Sequence, residues 1–169
     1  MSISMYDASV PSLCRALSNL VGILEKAAAH AETRGIDPTV LMQSRLYPDM
    51  FPLVRQVQIA ADLSRRGVAR LAGAEAPALE DKETTFSDLI ERLQGAIAYL
   101  KDFTPDQING TEETPITVPI GGGQSITMAG WPFLSFFVLP NVLFHVTTAY
   151  AILRHNGVEL GKRDFLGQP

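Results

Sequence analysis

The chain has 169 residues, of which 46% are hydrophobic and 19% charged, with a formal net charge of −4 and one cysteine. That length predicts a single domain, 1–169, able to bury about two-thirds of the surface its unfolded form exposes. The acidic balance and scattered Lys and Arg exclude a nucleic-acid footprint, and the lone Cys14 excludes an intrachain disulfide or a thiolate metal cluster.

The N-terminal stretch Met1 to Val10 holds Asp7, has no basic segment and leads into no long apolar run, so a cytoplasmic protein is expected. Leu13, Leu17, Leu20, Val21, Leu24 and Ala28 then repeat at amphipathic-helix spacing. Pro11 belongs either in the first turn of that helix, capped by Ser9, or at a kink in a longer helix beginning near Met5. Arg34-Gly35 ends it. Asp37-Pro38 opens a short helical turn through Met42, with Asp as cap and Pro in the first turn.

Tyr47-Pro48-Asp49 breaks the chain again, and Arg45 is expected to pair with Asp49 there. The second long helix, to about Ala72, carries the stripe Leu53, Val57, Ala60, Ala61, Ser64, Val68 and Leu71. Arg65, Arg66 and Arg70 on it read as a solvated edge. After a loop over residues 73–82, Thr85 caps a third helix with the stripe Phe86, Leu89, Ile90, Leu93, Ile97 and Leu100. Asp88 and Arg92 read as a solvent-facing i,i+4 pair on it.

Forty residues, 114–153, contain no Asp, Glu, Lys or Arg. Residues 115–120 and 125–128 alternate with period two around Gly121-Gly122-Gly123, which predicts a β-hairpin. No Gly-Lys-Ser/Thr follows the glycines, so a phosphate loop is rejected. From Trp131 to Leu153 the run is apolar all round and long enough to cross a bilayer. Pro140, Asn141 and His145 sit inside it, however, and a solitary span offers polar groups no partner. Three other amphipathic helices need a common apolar partner, so the segment reads as the centre of a helical bundle with a face left for a second subunit.

Asn141 and His145 lie one turn apart in the most apolar part of the sequence. Two readings stand: a histidine satisfied by an amide in the core, or a general base or ligand at the floor of a pocket. Asp62 lies at a position from which it could orient His145 or pair with Arg154. His30 and His155, at helix ends, read as structural. Trp131, Phe133, Phe136 and Phe137 read as core or interface.

Two strings, Arg45-Leu46-Tyr47-Pro48-Asp49-Met50 and Phe144-His145-Val146-Thr147-Thr148-Ala149-Tyr150-Ala151-Ile152-Leu153-Arg154-His155-Asn156-Gly157-Val158, with Gln56-Val57-Gln58 between them, resemble an uncharacterised bacterial domain family of the DinB/YfiT-like metalloenzyme superfamily. The resemblance covers essentially the whole chain. It implies an all-α, DinB/YfiT-like four-helix bundle, with the small β-hairpin inserted before the last helix, and a homodimer formed through bundle helices. It also implies a three-histidine site for Ni or Zn, with one ligand from the second helix and a His-x-x-x-His pair from the last. Counting back from the closing Leu-Arg-x-x-Gly places His145 at the second position of the pair, Asn141 at the first, and the second-helix ligand near Gln58. One imidazole and two neutral amides suit such a metal poorly, so the expected site is degenerate, with His145 its one remaining ligand and no cofactor.

Two functions follow. One is a bundle that binds a small ligand or packs a dimer; the other is a metal-dependent transferase or hydrolase acting on a small, thiol-type substrate. No membrane or nucleic-acid partner is expected.

Overall fold

The computed structural model describes residues 3–167; the ends of the expected domain, 1–2 and 168–169, lie outside the described residues. The chain is mostly helical, with one two-stranded antiparallel hairpin. Helix α1, Met5–Arg34, takes the longer of the two starts left open by the sequence: Ser4 is its cap and Pro11 lies inside it. The Ser9 hydroxyl donates to the Met5 carbonyl at 2.7 Å rather than capping the helix. Helix α2, Pro38–Gln43, is capped by Asp37 as expected. Helix α3 spans Leu53–Leu71, and every residue of its predicted stripe is buried.

Helix α4, Phe86–Lys101, starts at a capping box in which Thr85 and Asp88 satisfy each other's backbone N–H groups. Asp88 is thus occupied at the cap, and Arg92 turns into the protein instead of pairing with it on the solvent side. A short helix α5, Pro105–Ile108, leads to strands β1, Pro115–Gly121, and β2, Gln124–Ala129. The strands pair antiparallel, with Ile116 and Val118 turned into the core.

The apolar run ends in helix α6, Gly130–His155. Pro140 cannot donate to the carbonyl one turn back, a loss that usually kinks a helix. Here the turn ahead of it, Phe133–Val138, widens to π geometry, and the Leu139 N–H reaches back five residues to the Leu134 carbonyl. The Asn141 side chain donates to the Phe137 carbonyl at 2.6 Å in the same stretch. A final short helix α7, Lys162–Leu166, lies against α1 through Lys26–Asp164 and Asn19–Phe165 contacts.

The four long helices pack as a ring: α1 on α4, α4 on α3, α3 on α6 and α6 on α1. Helix α6 occupies a corner rather than the centre, which corrects the expectation that the other three helices bury it. Its inner face, including Val138, Val142, Val146, Ala149, Ile152 and Leu153, is buried; Phe136, Phe144, Trp131 and Leu143 keep 77%, 57%, 46% and 43% exposure. The helix has the length and composition to cross a membrane, and its apolar character is split between a core stripe and this outer face.

Where α3 crosses α6 the backbone approach depends on Gly67. A Cβ there would lie 2.7 Å from a methyl of Val138, a short and stiff side chain. Gly67→Ala is therefore expected to cost about 1–3 kcal/mol in urea unfolding. Gly22→Ala in α1, where a Cβ meets nothing within 4 Å, should instead gain about 0.5–1 kcal/mol.

Candidate functional site

His145 faces α3, where its Nδ1 lies 2.6 Å from Gln56 Oε1. The orientation of the Gln56 amide follows from its other bond: Nε2 donates to the Phe51 carbonyl at 3.1 Å, and a carbonyl can only accept. Oε1 must then accept from a protonated Nδ1. The remaining ring nitrogen, Nε2, carries the lone pair; it has no partner among the described residues and is not sealed from solvent. Burial, aided by the charge of Arg55, pushes the pKa of His145 below its ordinary 6.5, which keeps the ring neutral. The Phe144 ring meets the imidazole edge-on at 5.3 Å. The result is a half-buried, oriented imidazole that offers an acceptor or ligand atom at the surface.

The residues expected beside it are elsewhere. The Asn141 amide is turned along α6 to the Phe137 carbonyl. Gln58 faces the α3–α4 connection, donating from Nε2 to Glu83 Oε2 at 2.7 Å and accepting from Arg55 at 3.3 Å. Asp62 accepts from Arg92 Nη2 at 3.0 Å and lies 3.6 Å from Arg66, so it orients neither His145 nor Arg154. The second-helix amide that reaches His145 is Gln56. Arg45 donates to the Met50 carbonyl at 2.6 Å, a backbone tie in place of the expected Asp49 pair.

Gln58 and Asp62 belong to a second polar centre, built on Arg92. Its side chain is 2% exposed, and it donates to Glu83 Oε1 at 2.7 Å, the Glu80 carbonyl at 2.9 Å, Asp81 Oδ1 at 2.9 Å and Asp62. Arg55 also pairs with Asp81. Arg65, read from sequence as part of a solvated edge, is buried: it donates to the Pro77 carbonyl at 3.1 Å and its guanidinium lies 4.9 Å above the Tyr99 ring. These bonds tie residues 77–83 of the α3–α4 connection onto α3 and α4.

The sequence reading missed Gln56 and Arg92, though both carried a signal. Gln56 lies three residues after Leu53 and four before Ala60, and Arg92 three after Leu89 and four before Ala96, all buried stripe positions. A polar residue at stripe spacing is a buried polar residue needing a partner.

A family model described as a domain of unknown function, DUF1993, matches residues 5–166. The chain belongs to the DUF1993 family. A solved structure described as a DinB family member protein from Shewanella denitrificans is 43% identical, with a TM-score of 0.90 over 97% of this chain and 92% of that one. No curated protein matches. The family resemblance read from the sequence is thus correct: a DUF1993 domain within the DinB-like superfamily, mostly helical with a small hairpin.

The donor set of this DUF1993 protein does not fit the Ni or Zn that the superfamily implies. Among the described residues no three His, Cys, Asp or Glu side chains are placed to hold a metal ion together. Beside His145 the nearest amide oxygen, Gln56 Oε1, is spent on Nδ1. A soft or borderline ion finds one imidazole nitrogen here and no thiolate, carboxylate or second imidazole.

The Arg92 centre sets the expected pH response. Burial raises the Glu83 pKa, and hydrogen bonds from Arg92 and Gln58 outweigh it, so the net effect is downward from 4.5. A depressed folded value gives stability that is present above about pH 4.5 and lost as pH falls through the lowered value. Arg92→Met strands three carboxylates and should cost roughly 3 kcal/mol at pH 7. Urea midpoints measured at pH 7 and pH 3 should show that cost shrinking once the carboxylates are protonated.

Proposed function

We propose that this protein is a cytoplasmic, non-enzymatic four-helix bundle of the DinB/YfiT type that works as a homodimer, with the superfamily's metal position reduced to the single imidazole of His145. The observation that carries this reading is the outer face of α6. Trp131, Phe136, Leu143 and Phe144 are exposed along one helix within a forty-residue stretch free of Asp, Glu, Lys and Arg. Exposed apolar clusters of this kind mark interaction sites. An uncharged face carries no repulsion against a copy of itself, so a two-fold pairing of α6 with α6 is the simplest occupant. Such a dimer places His145 Nε2 near the seam, where the neutral ring can accept a hydrogen bond from a small ligand held between the chains.

Light scattering tests the reading. The wild-type chain should have the mass of two copies, and Phe136→Asp with Phe144→Asp should give a folded monomer, since both side chains lie outside the core. A wild-type monomer at tens of micromolar contradicts it.

A second reading, a metal-dependent transferase or hydrolase acting on a small thiol-type substrate, is favoured by one feature: the Gln56 and Phe51 bonds point the Nε2 lone pair outward, as in ligating histidines. Stoichiometric Ni or Zn in the purified protein, lost in His145→Ala, would establish that reading in place of the first.

A further inference from the structure

Residues 72–85 cross from α3 to α4 without regular structure, and their ties to the helices are polar. Asp81 and Glu83 enter a cluster formed by Arg55, Arg65, Arg66, Arg92 and Gln58, while Leu79 and Ala78 remain exposed. Beside this strap lies a cleft of about 840 Å³ whose helix wall includes Arg65, Arg92, Gly95 and Tyr99.

Two features of the cluster are unbalanced. Four guanidinium groups face three carboxylates, Asp62, Asp81 and Glu83. And Arg92 Nε is buried with no hydrogen-bond partner among the described residues, although the same guanidinium is otherwise fully used. An unfilled donor on a buried arginine, in a cluster with surplus positive charge, describes a site whose present acceptors do not complete it.

We propose that this arginine cluster is a binding site for a doubly charged phosphate group, and that Asp81 and Glu83 are internal stand-ins that occupy it until such a ligand displaces the strap. Lifting the strap leaves Arg55, Arg65 and Arg92 on the helix side with Asp62 as the carboxylate still paired to the cluster, while Asp88 and Glu91 of α4 remain on the cleft wall. A phosphate dianion supplies three acceptor oxygens and matches guanidinium forks in pairs. Tethered carboxylates act at high effective concentration, so a singly charged anion does not compete. Glu80, Asp88 and Glu91 at the mouth oppose an anion only weakly: Glu80 and Glu91 are exposed and screened by salt, and Asp88 is engaged at the α4 cap.

Calorimetric titration with inorganic phosphate, against chloride of matched ionic strength, tests this on the whole chain. Asp81→Asn with Glu83→Gln should bind phosphate at least tenfold more tightly than wild type, and adding Arg92→Met should abolish the gain. Phenyl phosphate binding more tightly than the free ion assigns the cleft to a phosphate ester; equal binding assigns it to free phosphate. Equal affinity in wild type and the relaxed variant, or no binding by a folded relaxed variant, overturns the proposal. Should the variant not fold, hydrogen exchange on the wild type decides. Phosphate should speed exchange of residues 77–83 severalfold, and unchanged exchange in phosphate and chloride overturns the site.

Discussion

Helix α3 is held between two neighbours, and the hydrogen bonds of its two flanks go to different centres. Successive residues on an α-helix turn by about 100°, so residues two apart point in nearly opposite directions. Gln56 therefore meets α6, and Gln58 meets Glu83 of the α3–α4 connection. Residues 55, 58, 62 and 65 follow the three- and four-residue spacing along the α4 side, and all four join the Arg92 network. The polar groups of the bundle are thereby sorted into two centres. One orients an imidazole on the α6 side; the other binds the α3–α4 connection on the α4 side.

Most of the secondary structure was legible because it rests on local periodicity. The stripes of α1, α3 and α4, the Thr85 cap and the glycine-turned hairpin all occur where spacing and turn chemistry place them. The short helices α5 and α7 were not legible, since a single turn lacks a repeat. Neither was the π turn: Pro140 in an apolar helix predicts a break, and five-residue hydrogen bonding that absorbs it has no sequence signature. The site was read only in part. His145 was identifiable as a polar group in an apolar helix, while its partner depends on the rotational setting of α3 against α6, which packing decides. Arg92 was assigned to the solvent side because Asp88 stands four residues before it, yet a helix cap had the stronger claim on that carboxylate.

Membership of the DUF1993 family and the likeness to a DinB family member place the chain in the DinB-like superfamily, and the geometry around His145 is that of one imidazole fixed against α3. A glutamine oxygen fixes the ring by accepting from Nδ1, which sets the tautomer and leaves Nε2 with the lone pair. The neighbouring position holds Asn141, whose amide now serves the backbone beside the π turn. That oriented imidazole lies next to the exposed apolar residues of α6, the face from which the dimer reading follows.

The separation of the two flanks can be measured on the ring of His145. Long-range nitrogen–proton NMR distinguishes a protonated Nδ1 from a protonated Nε2. The wild type and Gln58→Leu should both show the Nδ1–H form, and Gln56→Leu should lose it or mix it with the other tautomer. A tautomer that changes in Gln58→Leu and persists in Gln56→Leu would contradict the division of α3 into two polar flanks.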